Sequence, residues 1–188
     1  MPQFDLRGMK VGKYKNTNGV ISFETPIALG DAMNVNLDLR FAEGRLYAES
    51  VLAEYVREPT GGTISVGTKY IKKEAEVLLF GCTAETDTDE VTYSGKDNAN
   101  YVGFGAYAPD KIDGVTKFTA FFVHKTMFGP PGYSLQTKGE NIQFSTPTTS
   151  GEFLPDDSAD KKMLSRATLA TEAAAIAWIN TKFGVTGG

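Results

Sequence analysis

KFTAFFVHKTMFGPPGYSLQTKGENIQFSTPTTSGEF, residues 117–153, decides the fold. Its first part has the composition of a strand, with Phe118, Ala120, Phe122, His124 and Phe128 on one parity and Phe121, Val123 and Met127 on the other. A strand with one wet face alternates apolar and polar residues; this one does not, so both of its sides require cover. One face can pack on a domain core, and the other then needs a helix, a second sheet or a neighbouring subunit. Gly129, Pro130, Pro131 and Gly132 end the strand. The polar, turn-rich segment that follows holds no catalytic cluster, which places assembly ahead of chemistry.

Working outward, Val35 to Phe41 alternates cleanly, with Val35, Leu37, Leu39 and Phe41 on one side, and reads as a half-buried strand. Glu43 and Gly44 give a turn signal before a second apolar run, Leu46 to Val56, so the pair predicts a hairpin or meander. Gly61 and Gly62 separate that run from a short strand at Thr63 to Val66. The period then changes to 3.6 over Lys69 to Phe80, where Ile71, Ala75, Leu78 and Leu79 share a helical face and Gly81 supplies a stop. Thr83 to Asn100 reads as a polar loop with a small hairpin around Val91 to Tyr93. Strand propensity returns in Tyr101 to Ala108, Thr116 to Phe128 and Asn141 to Thr146, with a tight connection at Pro109 to Gly114. A terminal helix is expected over about residues 169–183, capped by Thr168 and striped by Leu169, Ala173, Ile176 and Ala177. The expected organisation is an N-terminal arm or lead-in at 1–30, a β-rich domain at 31–154 and a C-terminal extension at 155–188.

The chain has 188 residues and is 41% hydrophobic, enough for one domain that buries about 70% of its unfolded surface. A single cysteine, Cys82, excludes an intrachain disulfide framework and a multi-cysteine metal site. Its setting, VLLFGCTAE, is that of a small buried hydrophobe. A formal net charge of -4, with no basic run longer than two residues, argues against a positive groove for nucleic acid. Nothing in the sequence resembles a signal peptide or a membrane span.

The chemical candidates are few. His124, the sole histidine, sits mid-strand with no acid beside it in sequence, and its expected role is structural. A Cys82 and His124 nucleophilic pair has no sequence support. Asp87 with Glu90, and Asp156 with Asp160, lie in polar segments where solvated charge is the simpler account, and TDTDE lacks the spacing of a calcium loop. Gly103 and Gly105 in YVGFGAYA lack a nucleotide-loop spacing and point to a bulge or close sheet packing. No catalytic, cofactor-binding or metal-ligating residue is predicted. The expected assembly surface comprises Phe121, the loop acids Asp87, Asp89 and Glu90, the anchors Tyr133 and Leu135 of the segment 132–141, and Trp178 of the terminal helix.

The order of blocks LYAESVLAEY, GGTISVG, VLLFGC, DNANYVGFGAYAP, KFTAFFVHKTMFGPP and YSLQTKGENIQFSTPTTSGEF resembles that of major tail tube proteins of long, non-contractile-tailed phages, particularly those of Gram-positive hosts. The likeness spans about residues 35–154, and TKGENIQFSTPTTSG is its most specific part. It implies a β-sandwich or bent barrel-like unit with one packed helix at about 69–80. It further implies hexameric rings stacked into a tube in the virion tail, assembled in the host cytoplasm. The partners it implies are a tape-measure protein, a tail terminator and a distal tail protein, with double-stranded DNA passing through without specific binding and no cofactor. The terminal helix departs from the shorter endings of that family. A carbohydrate- or host-binding β-sandwich is the competing expectation, with Tyr101, Tyr107 and Tyr133 as its platform.

Overall fold

A computed structural model describes residues 5–85, 87–88, 90–112, 114–133 and 146–185. Among these residues the fold is mainly β, with two helices and one large antiparallel sheet. In chain order the elements are β1 (Arg7–Thr17), β2 (Val20–Phe23), β3 (Ile27–Ala28), β4 (Ala32–Ala48), β5 (Val51–Thr68), α1 (Lys73–Phe80), β6 (Thr83–Ala84), β7 (Val91–Thr92), β8 (Tyr101–Ile112), β9 (Val115–Phe128), β10 (Thr148–Phe153), β11 (Leu164–Leu169) and α2 (Glu172–Lys182). The sheet runs β2-β1-β8-β9-β10-β5-β4, with β3 paired to β1 and β11 paired to β9; β6 and β7 form a separate ribbon.

β9 is central, and its two apolar parities are covered by different parts of the same chain. Phe118, Ala120 and Phe122 meet Ala175, Ile179 and Phe183 of the C-terminal helical segment. Val123 and Phe128 enter a second cluster with Met9, Val66, Phe104, Phe153 and the buried face of α1. Phe128 joins Val123, and not Phe122, because the strand gains a residue: Val102 pairs with Thr126 but Phe104 with Val123, so His124 and Lys125 together oppose Gly103. This bulge exchanges the faces of everything that follows it. The uninterrupted alternation expected from the sequence is thereby corrected. A Cβ on Gly103 would lie 2.6 Å from the Phe23 ring, and one on Gly105 would lie 2.7 Å from Ile179 Cγ2, so these glycines do mark a bulge and a close helix approach.

Within the spans expected as an arm at 1–30 and an extension at 155–188, the described strands β1 and β11 both join the main sheet. β1 pairs with β8 and buries Met9 and Val11, which alternate between lysines and glycines. β11 continues the β9 ladder from Leu164–Val123 to Leu169–Phe118. Leu169 is therefore a strand residue, and α2 starts three residues later, where the Thr171 hydroxyl, not that of Thr168, accepts from Ala174 N–H at 3.2 Å. Ala173 and Ala177 face solvent, while Ala175 and Ile179 are buried. α1 starts at Lys73 rather than Lys69, buries Ala75 and Leu79, and ends as expected at Gly81, which takes a left-handed φ of 67°.

Gly61 and Gly62 do not divide two strands; they lie inside β5. A Cβ at Gly61 would fall 2.5 Å from Phe153 O, and one at Gly62 2.3 Å from the Phe153 ring, so their bareness admits β10. Pro109 lies within β8 opposite Phe118, beyond the last β1 partner of that strand at Tyr107, where no N–H is needed on that side. Residues 141–145 of the expected strand Asn141 to Thr146, and residues 134–141 of the segment 132–141, lie outside the described residues.

Candidate functional site

Among the described residues, the longest feature without internal cover is the β4-β5 hairpin. At its base Val35 and Leu37, opposite Val66 and Ile64, are packed on the core. The pairing of β10 with β5 stops at Gly62, and from Asp38 to Thr60 every residue is exposed. The hairpin therefore leaves the body as an arm about 33 Å long, from the residue steps between Asp38 and Ala48 at about 3.3 Å each. Its turn lies at Glu49 and Ser50, both left-handed at φ 49° and 66°, and not at the expected Glu43 and Gly44, which sit mid-strand. Two consecutive left-handed residues are the backbone of a two-residue hairpin turn.

Alternation along β4, with the register of β5, sorts the arm into two faces. The first continues the core-facing stripe outward: Leu39, Phe41, Glu43, Arg45 and Tyr47, opposed by Leu52, Tyr55 and Arg57. Arg57 lies 4.0 Å above the Phe41 ring and Arg45 5.5 Å from that of Tyr55. Glu43 stands 3.3 Å from Arg57 and 3.7 Å from Arg45. Exposed pairs of this kind contribute at most about 1 kcal/mol, but they keep the guanidinium groups over the rings. The second face carries Ala42, Gly44, Leu46, Ala48, Val51 and Val56, with Glu54 and Glu58. Val51 is 68% exposed and Leu46 58%, values that in an isolated chain leave large apolar side chains in water.

A different chemistry surrounds His124. The bulge and β11 bury its ring, edge-on to Phe122 at 5.1 Å. Its Nε2 lies 2.7 Å from Ser165 Oγ, and its Nδ1 3.7 Å from Asp156 Oδ2. Burial drives the imidazole pKa down to about 4; Asp156 opposes this, and the charges of Lys182 and Lys162 add to it. Asp156 Oδ1 accepts from the N–H groups of Lys162 (2.8 Å) and Ser158 (3.2 Å) and from the Ser158 hydroxyl, wrapping the 156–162 loop around the carboxylate. Serine, histidine and aspartate thus stand in the order of a nucleophilic relay. A cleft of about 440 Å³ exposes part of His124 and Asp156 beside Trp178, Lys162 and Lys182, but Ser165 is not in its wall. The group that a substrate would have to reach is turned into the β9-β11 seam, where it fastens two strands. Cys82 packs in the α1 cluster and makes no pair with His124.

The predicted surface residues are scattered. Phe121 is half-buried in β9 between Ala106 and Arg166. Asp87 and Glu90 are exposed near the β6-β7 ribbon; Asp89 and Leu135 lie outside the described residues. Tyr133 is exposed but reaches Glu76, whose carboxyl is raised by burial on α1 and held back by hydrogen bonds to Tyr93 and Tyr133. Trp178 is half-buried against the sheet, with Lys182 5.1 Å from its ring. Of the three tyrosines expected as a binding platform, Tyr107 is buried and bonded to Glu172 at 2.8 Å, so they share no open face.

Sequence reasoning missed the arm because the glycines appeared to divide it. The available signal was the recurrence of apolar residues on both parities of Leu46 to Val56, flanking two polar residues that suit a turn. Among the described residues no cluster of three or more His, Cys, Asp or Glu could hold a metal ion, and no helix is long and apolar enough to cross a membrane. Comparison of the chain with protein-family models and with curated proteins finds no match to either.

Proposed function

We propose that this protein is a structural subunit that associates with copies of itself, forming stacked hexameric rings of a phage tail tube through which double-stranded DNA passes. The observation that carries the reading is the arm: 23 consecutive exposed residues, 38–60, in a hairpin whose ladder is bulged at Thr60 and Ala53 and which has apolar side chains on both faces. Such a surface is costly in water and gains when other protein covers it. The ring number, the tube, the tape-measure, terminator and distal tail partners and the place in a virion tail follow from the resemblance of residues 35–154 to that family. The formal charge of -4 suits a conduit that a polyanion must traverse without sticking. Negative-stain microscopy with mass determination over concentration and time tests the reading. Six-membered rings with a central hole, or tubes built from them, are expected. A chain that stays monomeric at every concentration, and also fails to extend tubes from an added tail-tip complex, refutes it.

A further inference from the structure

The two faces of the arm differ in charge as well as in shape. The first carries Arg45 and Arg57 with one carboxylate, Glu43, between them; the second carries Glu54 and Glu58. Arg40, at the base on the second side, is held by Glu152 at 2.9 Å. One face of the arm therefore complements the other face of the same arm in a second copy. The aromatic rings and the guanidiniums over them, Phe41, Arg45, Tyr55 and Arg57, match a low surface of Leu46, Val51 and Val56 edged by acids. The first face repels another first face, and the second another second.

We infer that arms from successive copies stack face to back, the arginine-aromatic face of one against the valine-leucine-glutamate face of the next. The inference rests on the self-assembly proposed above and names the surface that performs it. A contact between unlike faces is heterologous, so it does not end at a dimer: each copy retains one open face and the series closes as a ring or continues. The size of the arm agrees. A hairpin about 33 Å long and about 10 Å wide offers on the order of 330 Å² per face. A stable pair of proteins needs about 800 Å² per partner. One such contact is too small to hold a dimer by itself, so the arrangement is stable only where each arm is covered on both faces by different copies, about 660 Å² per arm.

Charge reversal tests this on the full-length chain, with assembly followed by sedimentation velocity at physiological salt and the melting temperature as the check on folding. E54K/E58K makes both faces positive, and R45E/R57E makes both negative; each is expected to raise the concentration needed for assembly at least about tenfold. The four substitutions together restore unlike faces, and the quadruple variant is expected to assemble again near the wild-type threshold. If either double variant assembles like the wild type, or the quadruple variant fails to recover, stacking is overturned while self-assembly stands. An accumulating stable wild-type dimer overturns it as well. A wild-type chain that never assembles, even when seeded, removes both readings.

Discussion

Acidification should destabilise this protein through His124 before its carboxylates titrate. The ring is buried at the β9 bulge, with Ser165, Asp156, Lys162 and Lys182 around it, and its pKa falls from the ordinary 6.5 to about 4. The folded state thus holds the neutral imidazole while the unfolded chain binds a proton from pH 6.5 downward. Stability from this group is complete above pH 6.5, is lost as the pH falls from 6.5 to 4, and changes no further below that. A tenfold change in proton affinity is worth about 1.4 kcal/mol, so the full loss is about 3 kcal/mol, a large fraction of a typical domain's stability. His124→Gln keeps a hydrogen-bonding group toward Ser165 but does not titrate. Urea unfolding of both proteins at several pH values between 7 and 4 measures the difference. The wild type should lose about 3 kcal/mol more than the variant over that interval. Parallel pH profiles would show that burial does not suppress the charge. A wild type that gains stability on acidification would mean that attraction to Asp156 outweighs desolvation, and would reverse the sign of the argument.

Three further outcomes follow from the packing. Gly62→Ala places a methyl group 2.2 Å from Asp38 O and 2.3 Å from the Phe153 ring, so it should cost about 1–3 kcal/mol and lower the melting temperature by several degrees; an unchanged melting temperature would refute the close approach of β10. Ile179→Ala removes the side chain that seats α2 on Gly105 and should cost about 2–5 kcal/mol in chemical unfolding. If the loss is below about 1 kcal/mol, α2 is not a working part of the core. Replacing Glu49 and Ser50 by Asn and Gly, which adopt left-handed φ more readily, should slow amide exchange in the arm severalfold and leave the body unaffected. Equal or faster exchange in the arm would contradict the assigned turn.

Local periodicity carried the parts of the fold that obey one rule over several residues. β4 alternates through Val35, Leu37, Leu39 and Phe41, α1 repeats at 3.6 and stops on a glycine, and the pair Gly103 and Gly105 signalled close packing. Exceptions decided the rest. One inserted residue at His124 and Lys125 moves Phe128 to the other side of the sheet, which no parity count reveals. Gly61 and Gly62 read as punctuation because the residue that needs their space, Phe153, is about ninety positions away. β10 and β11, TTSGEF and LSRATL, are ordered by ladder hydrogen bonds to neighbouring strands and not by a hydrophobic pattern of their own. The His124 surroundings were illegible for the same reason, since Asp156 and Ser165 arrive from a loop and a strand that follow much later in the chain.

The position of β1 against β8, with α2 closing over it, has a consequence for synthesis. Lys10 bonds Asn180 at 2.9 Å, Tyr14 bonds Asp157 at 2.9 Å and Arg7 lies 3.2 Å from Glu172, so β1, which pairs early with β2 and then with β8, completes its side-chain contacts only after residues 157–180 have been made. The hairpin of β4 and β5 is local and can form as soon as it leaves the ribosome, whereas the body it projects from has high contact order and must wait for residues 164–183. A nascent chain therefore displays its stickiest surface before it has a fold to carry it. Translation rate and chaperone supply, more than the stability of the finished protein, should set how much of it reaches a usable form.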